Sequence, residues 1–423
     1  MDLVLRNSKI VYPGHRLNGK RLDIHIKNGK IVEIGKTLKP GSKFQEIKSK
    51  NLQVSPGWMD LRANFCEPGY EEKETIETGR KAAAAGGFTA VCLTPNTHPA
   101  TDSRAGIEFF VNKNGKHPVD LFPIGALSNQ MKGDDLSEMY DMKLAGAVAF
   151  SNYKSGIENA KFMQLALEYS KGIEARVIAH PNDENISGSA EVNEGENSTR
   201  LGLKGIPHLA EELRVNRDIY LSRYTNGILH FSGLSSTKSA DLIRNAKKDG
   251  LDITCDVSAA QLVLNDDCLE EFDSNYKVKP PIRLESDRKG LLAHVLKGNV
   301  DVICSDHEPQ NIENKACEFQ NASYGMIGIQ TVYPLLNSKL KGKIPAEVLV
   351  EKLAINPRKV LGMDQVELEE GSNANLTFFD PDIKWEYSIK NNLSKSKNSP
   401  FIGETFTGKV LGVTNNGKAI LAD

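Results

Sequence analysis

Two rhythms of apolar and polar positions alternate along this chain. At the N-terminus, LVLRNSKIV and LDIHIKNGKIVEIG are short runs of two-residue alternation, and Asn28-Gly29 marks a hairpin between strands. The C-terminus behaves alike: ANLTFFD (374–380) reads as a strand and FTGKVLGVTNNGKAILAD as a hairpin around Asn416-Gly417. Between them, short fully apolar runs alternate with helical stretches. FTAVCLTPN, VDLFPIGAL, AGAVAF, EARVIAH, NGILHFS, LDITCDVS and VDVICSDH read as strands, with helices near 103–113 and over 158–171, 207–223 and 236–249. GRKAAAAGGFTA (79–90) reads as a helix ending at Gly86-Gly87 and turning into a strand, not as a phosphate loop. Strand–helix alternation of this length implies a parallel sheet, and the repeat count favours an α/β fold of the TIM-like (β/α)8 type. The pattern divides the chain into a barrel over 55–364 and a small β-sandwich built from 1–54 plus 365–423.

Composition narrows the function classes. The charged share (26%) and hydrophobic share (39%) are those of an ordinary globular protein, and 423 residues suffice for a barrel plus a small module. A net charge of −2 gives no reason to expect nucleic acid or an anionic membrane as partner. No apolar run reaches the roughly 18 residues that span a bilayer, and MDLVLRNSKIVYPG lacks the form of a secretion signal. The six cysteines are scattered without a C-x-x-C pair, which fits reduced core thiols and a cytoplasmic location.

Chemistry in such barrels sits just after the strands. Those positions are Arg62 and Asn64, Asn96, Asn152, His180, His230, Asp256–Gln261 and Asp306. His180, His230 and Asp306 end three different strands, and two imidazoles with a carboxylate at one barrel mouth are a partial donor set for a divalent metal. The run Glu71-Glu72-Lys73-Glu74 reads as a solvated helix start, NNLSKSKNSP (391–400) as a solvated loop, and Asn182-Asp183-Glu184 as either surface or support for His180.

Several segments carry a family resemblance. MDLRANFCEPGYEEKETIETGRKAAAAGGFTAVCLTPNTHP, LGLKGIPHLAEELRVNRDIYLSRYTNGILHFSGLSS, KVKPPIR, VDVICSDHEPQ and INPRKVLGM follow one another as in a dihydroorotase of the longer class, within the amidohydrolase superfamily. The resemblance implies a barrel with a flanking β-sandwich, ancestry in pyrimidine biosynthesis and a zinc-dependent hydrolase of cyclic amides. Its residues carry over only in part. The two metal-ligand histidines of the family fall on Arg62 and Asn64, and the substrate-gripping arginine on Cys66. The bridging aspartate falls on Asn152, and the histidine closing the DHAPH motif on Gln310. The Pro-His-His run falls on Ala259-Ala260-Gln261, and the asparagine before the double proline on Lys279. The lysine used by other relatives falls on Val148, and Lys154 lies near but out of register. His180, His230, Asp306 and the substrate-binding Asn96 remain.

Arg62 brings a permanent positive charge to a position meant for a cation's ligand. Like charges ~4 Å apart repel by several kcal/mol at an effective dielectric near 20. The expectation is therefore a catalytically silent homologue with an idle Asp306. What the resemblance implies for such a homologue is a structural or regulatory role beside aspartate transcarbamoylase, and a homo-oligomer is expected. Its Arg62 would pair with Asp306 in the metal's place. The alternative is a single-metal hydrolase in which His180 and His230 hold one weakly bound zinc and Asp306 is the base. A third reading has Arg62, Lys279 and Asn96 binding a small carboxylate without turnover. Cys66 as a nucleophile has only His98 nearby as a base.

Overall fold

The computed structural model describes residues 2–41, 44–340 and 342–422. Eight parallel strands form the central layer. Trp58–Ala63, Phe88–Leu93 and Asp120–Pro123 pair in order. The third strand continues as Gly125–Ala126, which pairs with Phe150–Ser151, followed by Val177–Ala179, Leu229–Phe231, Ile253–Ser258 and Val302–Cys304. A bridge between Ala63 and His307 returns the eighth strand to the first and closes the ring. Helices Ile76–Ala85, Arg104–Val111, Met139–Leu144, Ala160–Gly172, His208–Thr225, Thr237–Lys248 and Glu285–Leu296 lie between strands. Their apolar faces and the outward strand residues form one large core that includes Phe88, Phe110, Phe150, Phe162 and Phe231. A parallel sheet covered in this way is apolar on both faces, which is why its strands lack alternation.

Both termini build one eight-stranded sheet beside the barrel. The strand Gln53–Pro56 pairs antiparallel with Leu376–Tyr387, so the sheet runs to Pro56 and the barrel starts at Trp58. Asn28-Gly29 and Asn416-Gly417 turn with positive φ at both residues, the type that matches hairpin twist. The two turns touch: a Cβ on Gly29 would lie 2.5 Å from the Gly417 Cα.

Two surface readings are corrected here. Glu74 is fully buried rather than solvated, and the helix begins at Ile76 with Thr75 as its cap. The 391–400 segment is not a free loop: Ser394, Ser396, Asn398 and Ser399 are buried. It crosses from the terminal sheet to the barrel mouth, where Ser394 donates to the Glu74 carboxylate and the Lys395 amide donates to it at 3.0 Å. Asn398 Nδ2 donates to the Glu308 carbonyl at 3.0 Å, and Asn398 Oδ1 accepts from the Gln310 amide at 3.1 Å. Among the described residues, no helix is long and apolar enough to cross a membrane.

Candidate functional site

At the C-terminal ends of the barrel strands the side chains form a buried network of charges. Arg62 leaves the first strand and is 5% exposed. Its Nη2 lies 3.3 Å from Asp256 Oδ1 on the seventh strand, and its Nε lies 3.4 Å from Asp306 Oδ1 after the eighth. Nη2 also donates to Cys304 Sγ at 3.2 Å. Gly233 makes the room, because a Cβ there would meet Arg62 Nη1 at 2.5 Å. Lys154 completes the set, with Nζ 3.0 Å from Asp306 Oδ1 and 2.7 Å from Glu308 Oε2. Lys154 thus belongs to the site centre, although sequence register sets it aside. The loop after Phe150–Ser151 carries it there through Tyr153, whose φ is +55°.

These partners fix the protonation states. Burial alone would push the Asp256 carboxyl up, but Arg62 outweighs it, aided by hydrogen bonds from His230 and Ser232, and holds it well below the usual carboxylate range. Burial opposes the charge on Lys154, but Asp306 and Glu308 outweigh it and raise its pKa. The Lys154 ammonium is thus held between the Asp306 and Glu308 carboxylates. Burial of Arg62 is likewise outweighed by Asp256 and Asp306.

The two histidines have different surroundings. His230 Nε2 bonds Asp256 Oδ2 at 3.0 Å and His230 Nδ1 bonds Thr254 Oγ1 at 2.8 Å, so both ring nitrogens are occupied. His180 Nδ1 donates to the Ser232 carbonyl at 3.3 Å, which leaves Nε2 as a buried lone pair without a partner. Burial holds His180 neutral, its pKa well below the ordinary imidazole value, with Lys279, Arg62 and Lys154 adding to the effect. Asn182 bonds Ser187, Asp183 caps the next short helix, and Glu184 pairs with Lys279; these contacts turn the three side chains away from His180.

The remaining candidate positions have structural partners. Asn64 Oδ1 accepts from the Cys66 amide at 2.8 Å. Asn152 Oδ1 accepts from the Leu127 and Ser128 amides at 3.2 and 3.1 Å and so faces the neighbouring loop. Gln261 Nε2 donates to the Pro280 and Pro281 carbonyls at 3.1 and 3.0 Å, and Gln310 Nε2 to the Tyr324 carbonyl at 2.8 Å. Burial, reinforced by Glu74, pushes the Cys66 thiol up, which removes it as a nucleophile. The carboxylate-binding trio does not assemble. Lys279 Nζ is 2.7 Å from Glu184 Oε1, and neither Lys279 nor Asn96 lines the cavity beside Arg62. That cavity, lined by Arg62, Tyr153, Lys154, His180 and Ser232 among others, measures about 10 Å³. It has room for at most one water.

The residues present do not fit a catalytic metal. Among the described residues, no three His, Cys, Asp or Glu side chains are grouped to hold one. A metal needs free lone pairs, but His230 has none, Asp306 is held by two cations, and Arg62 repels a third. Asp256, Lys154 and Glu308 were not assigned roles from the sequence. Asp256 lies inside the strand Ile253–Ser258, whereas Asp306 lies two residues beyond Val302–Cys304. Lys154 and Glu308 sit in loops, where no period marks them.

A model of dihydro-orotase-like proteins matches residues 52–239. The chain is 37% identical over 422 residues to the dihydroorotase of Geotalea daltonii and 38% identical over 424 residues to that of Acetivibrio thermocellus. Each match covers at least 99% of both chains. The chain belongs to the dihydroorotase family. Solved structures add the fold alone: an L-hydantoinase (dihydropyrimidinase) from Arthrobacter aurescens superposes with a TM-score of 0.86 at 22% identity, over 99% of this chain and 96% of that one. A D-hydantoinase (dihydropyrimidinase) from a Thermus species gives 0.83 at 22%, over 100% and 95%. Within the dihydroorotase family, then, this member carries an arginine–carboxylate network at its barrel mouth.

Proposed function

We propose that this protein is a catalytically silent member of the dihydroorotase family that works in the cytoplasm as a structural or regulatory partner. Aspartate transcarbamoylase is the partner the family resemblance points to. The observation that supports this reading is the Arg62 guanidinium between Asp256 and Asp306, at 3.3 and 3.4 Å. It supplies by a side chain the positive charge that a metal would bring, and it offers a substrate no Lewis acid and no activated water. Lys154 also pairs with Asp306, at 3.0 Å, so the carboxylate a base would need lies between two fixed cations.

The single-metal reading rests on one feature, the unpartnered His180 Nε2. It requires His230 to leave Asp256 and Arg62 to leave the barrel mouth, which exposes two buried carboxylates at once.

A dihydroorotate ring-closure assay on zinc-supplemented protein separates the readings. The silent reading expects a rate equal to that of His230→Ala and co-elution with aspartate transcarbamoylase. Turnover abolished by His230→Ala overturns it, and so does failure to associate with that partner.

A further inference from the structure

We propose that the N-terminal end of the barrel, opposite the mouth, carries a binding site for a small organic monocarboxylate, with Arg358 as its receptor. A cavity of about 320 Å³ opens there between the first barrel strands and the terminal sheet. Met59, Ala90 and Phe122, near the starts of the first three strands, form one wall. Asn375 and Asn415, at or beside the ends of two terminal-sheet strands, form another. In barrels of this type the N-terminal face serves stability.

Arg358 is the feature that stability does not explain. It stands on the short helix Asn356–Val360 and is 5% exposed. Its Nη1 donates to the carbonyls of Gly57 at 2.8 Å and Ala354 at 2.7 Å. The other edge of the guanidinium, Nε with Nη2, has no partner among the described residues, and the side chain lines the cavity. Nor does a carboxylate among the described residues pair with it. Tyr12 and Cys92 favour its charge, but burial outweighs them and pulls its pKa down to about 10. Arg62 at the mouth is the reverse case, held between two carboxylates. A buried guanidinium without a countercharge is costly, and an anion in the cavity removes that cost.

The free edge defines the head group of the ligand. Nε–H and Nη2–H are two parallel donors at the spacing of two carboxylate oxygens, the fork geometry of bidentate binding. The walls define the tail. Met59 and Ala90 are buried, Phe122 and Met363 partly so, and all four belong to one apolar cluster inside the barrel. An aliphatic or aromatic tail matches them. Charge sets the limit. Asp364 and Glu367 stand exposed at the rim, and Asp120 on the same cavity accepts from Asn415 and Asn416 at 2.9 and 2.8 Å. Three acids around one cation disfavour a dianion such as phosphate, so a single negative charge is the match.

Methyl NMR of the full chain, with its methionines 13C-labelled at the methyl, tests the proposal by titration with sodium butyrate; Met363→Leu assigns the Met363 resonance. That resonance is expected to shift saturably, with a midpoint on the order of millimolar for so small a ligand. Sodium phosphate at the same concentrations is expected to leave it in place. Arg358→Lys keeps the charge but loses the fork, and is expected to weaken butyrate about tenfold. Asp364→Asn/Glu367→Gln changes exposed positions alone, so it keeps the test open if Arg358→Lys fails to fold; it is expected to tighten butyrate about twofold. The absence of a saturable shift in the wild type overturns the proposal. So does phosphate binding as tight as that of butyrate, or a butyrate affinity unchanged in either variant when its methionine spectrum shows it folded.

Discussion

Arg62 is the residue on which the site turns. It lies among Asp256, Asp306 and Cys304, with Gly233 left bare to admit it. Asp256 accepts from the Gly233 amide and Ser232, bonds His230 and lies 3.3 Å from Arg62, which supplies its countercharge. Removing the guanidinium strands two buried carboxylates. Arg62→Met is expected to cost about 3–5 kcal/mol at neutral pH, measured by urea unfolding. Asp256→Asn in the same background is expected to recover part of that loss, because the stranded charge goes with it. The pH dependence has a definite sign. A carboxyl held below its unfolded pKa stabilises the fold above the ordinary carboxylate range, and that contribution fades as pH falls through the range. The gap between wild type and Arg62→Met is therefore expected to narrow below roughly pH 4.

At the scale of elements, the 391–400 strap is the piece that only three-dimensional contacts explain. Glu74 holds it through Ser394 and the Lys395 amide, while the buried His307 ring lies 3.4 Å from the same carboxylate. Burial alone would raise the Glu74 pKa, but His307, Ser394 and Thr78 outweigh it and lower it. The strap thereby joins the terminal sheet to the first and eighth barrel strands. Glu74→Ala leaves buried donors on both sides without an acceptor, at about 1–3 kcal/mol. Limited proteolysis is expected to cut this variant within 391–397, where the wild type is protected; equal protection would show that the strap is held by other contacts.

For the molecule as a whole, periodicity made the fold legible and left much of the site hidden. Fully apolar runs of four to seven residues flanked by helices could only be the strands of a covered parallel sheet. The Asn28-Gly29 and Asn416-Gly417 turns likewise announced the terminal hairpins. The site was legible where a side chain lies within two residues of a strand's C-terminal end, as Arg62, His180, His230 and Asp306 do. It was hidden where a loop conformation delivers the charge: Lys154 follows a residue with positive φ, and Glu308 reaches it from another loop. Glu74 looked solvated because nothing within its own helix start reveals a strap from more than three hundred residues away.

On the proposed function, Arg62 and Lys154 supply at the barrel mouth the positive charge that a metal would bring. Zinc content by elemental analysis, on protein incubated with excess zinc and then desalted, tests it most directly. The account predicts far less than one zinc per chain, unchanged by His180→Ala. Near-stoichiometric zinc that is lost on His180→Ala would contradict it.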